Sequence, residues 1–203
     1  MKFMSTDKFK TIEQPALGIL KDKGSKFNAY LLPVKSEDSF RAQLDLVKAQ
    51  EPNARHYCWA FRLDPENLLE KSNDDGEPSN TAGAPILRSL MSAELVNVAC
   101  VVVRYFGGTK LGVPGLIAAY GGSAKEAIEN AQICEETITR NLEVTFGYSE
   151  LSFVERTARE TGAEIITRIQ EQNLLYVLRV EKSKLKETRD HFEKNHRLRT
   201  RAI

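Results

Sequence analysis

The sequence predicts an α+β protein of two domains, and three observations carry that reading. The first 135 or so residues mix strand-like stretches with helices that cross between them. Residues 138–203 run in the order β-α-β-β-α-(β). Between the apolar run Val98–Val103 and a helix-like run from Leu116 to Ala131 lies a loop, Arg104–Leu116, that holds Gly107, Gly108, Gly112, Gly115 and Pro114. Glycine is costly to order and is used where the backbone takes positive φ or approaches another group closely.

The elements follow in order. Residues 11–34 contain Gly18, Gly24 and Pro33 and read as two strands around a turn at Lys21–Ser25. Ser36–Gln50 reads as a helix. Phe40, Leu44 and Val47 recur at helical spacing, Ser36 is the N-cap before an acidic first turn, and Pro52 ends it. His56–Leu63 is an aromatic-rich strand. Pro65–Gly83 is polar, carries the turn signals Asn73-Asp74-Asp75-Gly76-Glu77-Pro78, and is expected to be loop throughout. Pro85–Met91 is a short helix. Val96–Tyr105 is a strand buried on both faces, because its apolar run is continuous instead of alternating.

The boundary is expected near Glu136–Arg140, which gives domains at 1–137 and 138–203. Beyond it, Asn141–Phe146 is a strand. Ser149–Thr161 is a helix stopped by Gly162, with Leu151, Val154 and Ala158 on one face. Ala163–Ile169 and Leu174–Val180 are strands across a turn near Gln172-Asn173. Ser183–Asn195 is a helix with Leu185 and Phe192 inward, and Leu198–Ile203 is a fourth strand. That order is the split βαβ arrangement of ferredoxin-like domains.

Composition narrows the function classes. The 203 residues hold 29 basic and 28 acidic side chains, so no global charge draws the chain to nucleic acid or to a membrane surface. Residues 1–137 carry 16 basic and 18 acidic groups, net −2; residues 138–203 carry 13 and 10, net +3. Cys58, Cys100 and Cys134 are widely spaced among apolar neighbours and read as reduced thiols, with no CxxC pair for a zinc or redox site. Met1–Lys10 lacks the apolar core of a signal peptide, and the longest apolar runs fall short of a membrane span. A cytoplasmic protein without a membrane partner is expected.

The residues with chemical potential leave alternatives open. The glycine-rich loop matches neither GxxxxGK[ST] nor GxGxxG. It reads as an anion site using backbone N–H groups with Arg104 and Lys110, as a device that packs the following helix close to the sheet, or as a protein-contact surface. The three carboxylates Asp74, Asp75 and Glu77 suit a hard cation such as Mg²⁺, or a solvated turn in which they bond local backbone N–H groups. His56 reads as a structural histidine. Cys58 and Cys100 read as unreactive, because apolar surroundings raise a thiol pKa. Lys194, Arg197, Arg199 and Arg201 form a basic tail that can touch RNA phosphates or simply keep an edge strand soluble.

Two blocks, Asp74–Leu87 (DDGEPSNTAGAPIL) and Val102–Gly112 (VVRYFGGTKLG), resemble the IMPACT/YigZ family. Lys23-Gly24-Ser25-Lys26-Phe27 and Ala54–Ala60 (ARHYCWA) are similar to two further family blocks, and the resemblance spans roughly residues 15–130. It implies an N-terminal domain like the second domain of ribosomal protein S5 and a C-terminal domain like domains III and V of elongation factor G. It also implies a role in translation, since the eukaryotic member is a translational regulator that competes for a ribosome-associated activator of a starvation-responsive kinase. This chain departs from the family pattern at Ala84, where a lysine is usual, and at Gly112-Val113-Pro114-Gly115, where Gly-Thr-Gly-Gly is usual. Pro114 lacks an N–H and removes one potential anion donor, while suiting the first turn of a helix.

The expectation is therefore a non-enzymatic protein that contacts RNA, the ribosome or a regulatory protein, with no cofactor and no metal. Its surface would comprise Asp74, Asp75, Glu77, Thr81, Arg104, Tyr105, Gly107, Gly108 and Lys110, together with the basic tail. The alternative is a small-ligand or phosphate-binding enzyme with its site between the 74–85 and 104–115 loops. Convergence of Asp74, Asp75, Glu77, Arg104 and Lys110 separates a site from a purely architectural loop.

Overall fold

The computed structural model describes residues 7–170 and 173–203. Most of Met1–Lys10, and Gln172 of the expected turn, lie outside the described residues. The chain divides into two compact units. One is Phe9–Glu136; the other is Thr137–Ile203 with Asp7 and Lys8.

In the first unit the elements are β1 (Lys8–Ile12), β2 (Ala16–Asp22), β3 (Ser25–Pro33), α1 (Glu37–Gln50), β4 (His56–Leu63), β5 (Leu69–Asn73), α2 (Gly83–Ser92), β6 (Val98–Tyr105), α3 (Gly112–Glu129) and β7 (Ile133–Thr137). Five strands form a sheet in the order β2-β3-β6-β4-β5, with every neighbouring pair antiparallel. The apolar run of β6 has a physical reason. Val98, Cys100 and Val102 face one core with Ile86 and Leu90 of α2 and Tyr120 and Ala124 of α3. Ala99, Val101 and Val103 face a second core with Phe40 and Val47 of α1. A strand buried on both faces has no polar side to alternate with. At the start of α1, Ser36 accepts from the Ser39 N–H at 3.1 Å and Ser39 Oγ accepts from the Ser36 N–H at 3.0 Å, a reciprocal cap.

Four features depart from expectation. Residues 69–73, read as loop, form β5, which pairs with β4 at the edge of the sheet among the described residues. Its charge hides the strand: Glu70 pairs with Arg62 at 2.8 Å and Lys71 with Glu37 at 2.8 Å. β1 and β7 were not anticipated and form a separate two-stranded ribbon. The helix expected from Leu116 begins at Gly112, with Pro114 in its first turn, where a missing N–H costs no helical bond. The glycine-rich loop is thus shorter, at residues 106–111.

Gly107 shows why that loop needs glycine. A Cβ there would lie 1.9 Å from the carbonyl carbon of Gly24, in the β2–β3 turn. Two backbones meet without side chains between them, and the Gly107 N–H donates to Ser25 Oγ at 3.2 Å.

The second unit contains β8 (Thr139–Phe146), a 3₁₀ turn at Tyr148–Glu150, α4 (Leu151–Thr161), β9 (Glu164–Gln170), β10 (Leu174–Glu181), a 3₁₀ turn at Lys182–Lys184, α5 (Leu185–Glu193) and β11 (Arg199–Ala202). Its antiparallel sheet runs β11-β8-β10-β9. Leu142, Val144, Tyr176 and Leu178 pack with Val154 and Ala158 of α4 and Phe192 of α5. Gly162 ends α4 at φ 70°, as its position predicts. No helix among the described residues is long and apolar enough to cross a membrane.

Gly107→Ala is expected to destabilise the protein by about 1–3 kcal/mol, the usual cost of overpacking a tight contact, read as a lower midpoint in urea denaturation.

Candidate functional site

The start of β3, the start of β4 and the end of β6 meet at one end of the five-stranded sheet, because Lys26 pairs with Tyr105 and His56 with Arg104. The loops at 23–24, 53–55, 74–82 and 106–111 all spring from these strand ends or from β5. The acidic loop and the glycine-rich loop therefore do converge, but the acidic side chains are used in a way that removes them as a metal site.

Asp74 accepts backbone N–H groups from Asn80 at 2.8 Å, Ala82 at 3.0 Å and Gly83 at 2.8 Å. The N-cap of α2 is Ala82, which has no side chain able to bond. Asp74 supplies that cap from a distance, and its charge sits favourably at the positive end of the helix. Asp75 accepts the Tyr57 N–H at 2.7 Å, while its carbonyl accepts the His56 Nδ1–H at 2.9 Å. Thr81 is buried and donates its hydroxyl to the Pro78 carbonyl at 2.6 Å. Asp74, Asp75, Thr81 and His56 hold the loop in shape. Among the described residues no group of three or more His, Cys, Asp and Glu side chains could hold a metal ion.

Glu77 has a different partner. One of its oxygens accepts from Arg104 Nη1 at 2.5 Å and from the Tyr120 hydroxyl at 2.8 Å. The two charged side chains are 8% and 5% exposed. The Arg104 guanidinium lies 5.6 Å from the centre of the Phe27 ring and 5.5 Å from that of Phe106, in cation–π range of both. Its Nε is buried and has no hydrogen-bond partner among the described residues.

Arg104 and Phe106 stand between two cavities. One, of about 410 Å³, is lined by Glu77, Pro78, Lys110, Leu111 and the first residues of α3. The other, of about 380 Å³, is lined by Asn53, Arg55, His56 and Tyr105. Glu77, Arg104 and Lys110 thus share one cavity, whereas Asp74 and Asp75 line neither. Tyr105 directs its hydroxyl to Glu51 Oε2 at 2.6 Å. Gly107 is in contact with Gly24, and Gly108 is exposed at φ 90°. In the other unit, Arg199 and Arg201 are exposed on the edge strand β11, and Arg197 bonds Glu150 at 3.3 Å.

Cys58 and Cys100 are buried thiols. Burial pushes Cys58 up to about 12 and Cys100 up to about 12, and Cys58 Sγ donates to the Asp74 carbonyl at 2.9 Å. Sequence reasoning missed Glu51, which follows the last turn of α1. Its carboxylate accepts from Asn28 Nδ2 at 2.7 Å, Tyr30 at 2.5 Å and Tyr105 at 2.6 Å, and its carbonyl accepts from Tyr57 at 2.6 Å. No local signal reveals this, because the donors come from three different strands. Burial works to raise the Glu51 pKa, but the hydrogen bonds outweigh it and hold the carboxyl below its ordinary 4.5.

A carboxyl depressed in the folded state stabilises above the unfolded value and loses that contribution as pH falls through the folded one. Urea denaturation is therefore expected to show stability falling below about pH 4.5. Glu51→Gln should be less stable at neutral pH and show a flatter acid limb.

The Impact N-terminal domain family matches residues 23–128. The Bacillus subtilis IMPACT family member YvyE is 38% identical over 137 residues, covering 68% of this chain and 63% of that protein. An IMPACT family member of Haemophilus influenzae is 35% identical over 159 residues, 77% of each chain. A crystal structure described as that of a hypothetical protein superposes with a TM-score of 0.74 at 27% identity, covering 97% of both chains. With matches of this extent to the blocks that build the sheet end, the chain belongs to the IMPACT family.

Proposed function

We propose that this protein is a non-enzymatic binding protein linked to translation regulation, acting in the cytoplasm through contacts with RNA, the ribosome or a regulatory protein. We read residues 1–137 as a domain like the second domain of ribosomal protein S5. Residues 138–203 we read as ferredoxin-like, similar to domains III and V of elongation factor G. Family membership and the resemblance to the eukaryotic regulator support the link to translation. In the second unit, the β-α-β-β-α-β order with strands arranged β11-β8-β10-β9 supports the domain reading.

The observation that carries a binding role is the disposition of charge at the sheet end. Asp74 and Asp75 are consumed by backbone N–H groups and Glu77 by Arg104. Arg55 and Lys110 remain exposed, without a hydrogen bond or ion pair among the described residues, beside the exposed ring of Phe106. Exposed cations around an apolar ring suit an anionic partner better than they suit turnover. Arg199 and Arg201 on β11 give the second unit its own positive edge.

A filter-binding titration against purified ribosomes and structured RNA tests this reading. Saturable binding that weakens as salt rises is expected, since phosphate contacts release counterions. Absence of saturable binding to either at low salt would remove the RNA and ribosome contacts.

A further inference from the structure

We infer that the sheet end around Phe106 binds single-stranded RNA, with a base stacked on the Phe106 ring and backbone phosphates held on both sides of it. This rests on the binding role proposed above and narrows it to one class of partner.

Phe106 is 59% exposed, and Val113, which lines the same 410 Å³ cavity, is 52% exposed, so the two form one apolar surface. The Phe106 ring is also braced. Arg104 lies 5.5 Å from the ring centre, and Arg104 is itself fixed by Phe27 and Glu77. A braced, exposed aromatic side chain is what a nucleobase needs, because every base has a flat face to stack.

The surroundings fit phosphates. On one side of Phe106 the 410 Å³ cavity is lined by Lys110 and by Gly112 and Val113 of α3. That 18-residue helix starts with no side-chain cap, so its first N–H groups point positive charge outward. On the other side the 380 Å³ cavity is lined by Arg55 and His56. Glu77 lines the 410 Å³ cavity and is bound to Arg104 and Tyr120, and the lining of the 380 Å³ cavity holds Arg55, His56 and Arg104 without a carboxylate. Arg104, which lines both, is more than nine-tenths buried and keeps an Nε donor without a partner among the described residues. Lys23 is exposed on the turn whose Gly24 touches Gly107 and adds a further cation.

Cation, exposed ring and cation in sequence match the phosphate–base–phosphate repeat of a single strand. A duplex keeps its bases stacked inside and offers none to Phe106. An acidic peptide would satisfy Arg55 and Lys110 but leave the ring without a flat partner.

Fluorescence anisotropy with a labelled oligouridylate roughly ten nucleotides long, beside an RNA duplex of equal length, tests this on the full chain over a range of salt. The single strand should bind saturably and about 10-fold or more tighter than the duplex. Phe106→Ala should weaken it roughly 10–100-fold with little change in salt slope, the loss expected for one stacked base. Phe106→Trp should retain the affinity, a rescue that a merely structural role would not require. Lys110→Gln and Arg55→Gln should each reduce the salt slope by about 0.7. Duplex binding equal to single-strand binding, or unchanged affinity in Phe106→Ala, overturns the inference. Ribosome binding in the filter assay without oligouridylate binding also overturns it and leaves the proposed function standing. Failure of both removes the RNA and ribosome contacts altogether.

Discussion

A guanidinium cannot remain 8% exposed between two aromatic rings unless a carboxylate goes into the interior with it. Isolated burial of such a charge costs several kcal/mol, and removal of one partner from a buried pair typically costs about 3–5 kcal/mol. Glu77 meets that constraint for Arg104, and the Tyr120 hydroxyl adds a second donor to the same carboxylate oxygen. The pair, with Tyr120, links the acidic loop, the last residues of β6 and the middle of α3. What surrounds it at the sheet end is arranged around that link. Phe106 is braced by Arg104, the glycine loop continues from β6, and Asp74 caps α2 from the loop that delivers Glu77.

The same constraint explains why three carboxylates within four residues are not equivalent. Each is placed by what the backbone needs near it. Asp74 faces the uncapped N-terminus of α2, Asp75 the edge N–H of Tyr57, and Glu77 the buried guanidinium. Once these needs are met, none of the three is left to neutralise Arg55 or Lys110. The local charge is therefore positive even though residues 1–137 are net −2.

How much of this can be read in the sequence depends on the range of the interaction. β6, α1 and the order of elements in the second unit follow from patterns within a few residues: the apolar run 98–103, the cap at Ser36, the stop at Gly162. β5 escaped because Glu70 and Lys71 make an edge strand look like loop, and the α3 start escaped because glycine and proline in a first turn look like a break. At the site, Arg104, Glu77 and Lys110 were visible as residues with chemical potential and are brought together. Thr81, Asp74 and Asp75 were visible too, but their roles are set by backbone amides that a linear reading does not place. Glu51 was invisible, since its donors Asn28 and Tyr30 on β3 and Tyr105 on β6 lie far from it in the chain and meet it only in the folded sheet.

A double-mutant cycle on Glu77 and Arg104 addresses the central constraint most directly. Urea denaturation of Glu77→Gln, Arg104→Met and the double variant gives the coupling between the two side chains. The expected result is a large loss for each single variant and a double variant that loses clearly less than their sum, because no buried charge is then left unpaired. Losses that add to within about 0.5 kcal/mol, as for distant and independent sites, would contradict it.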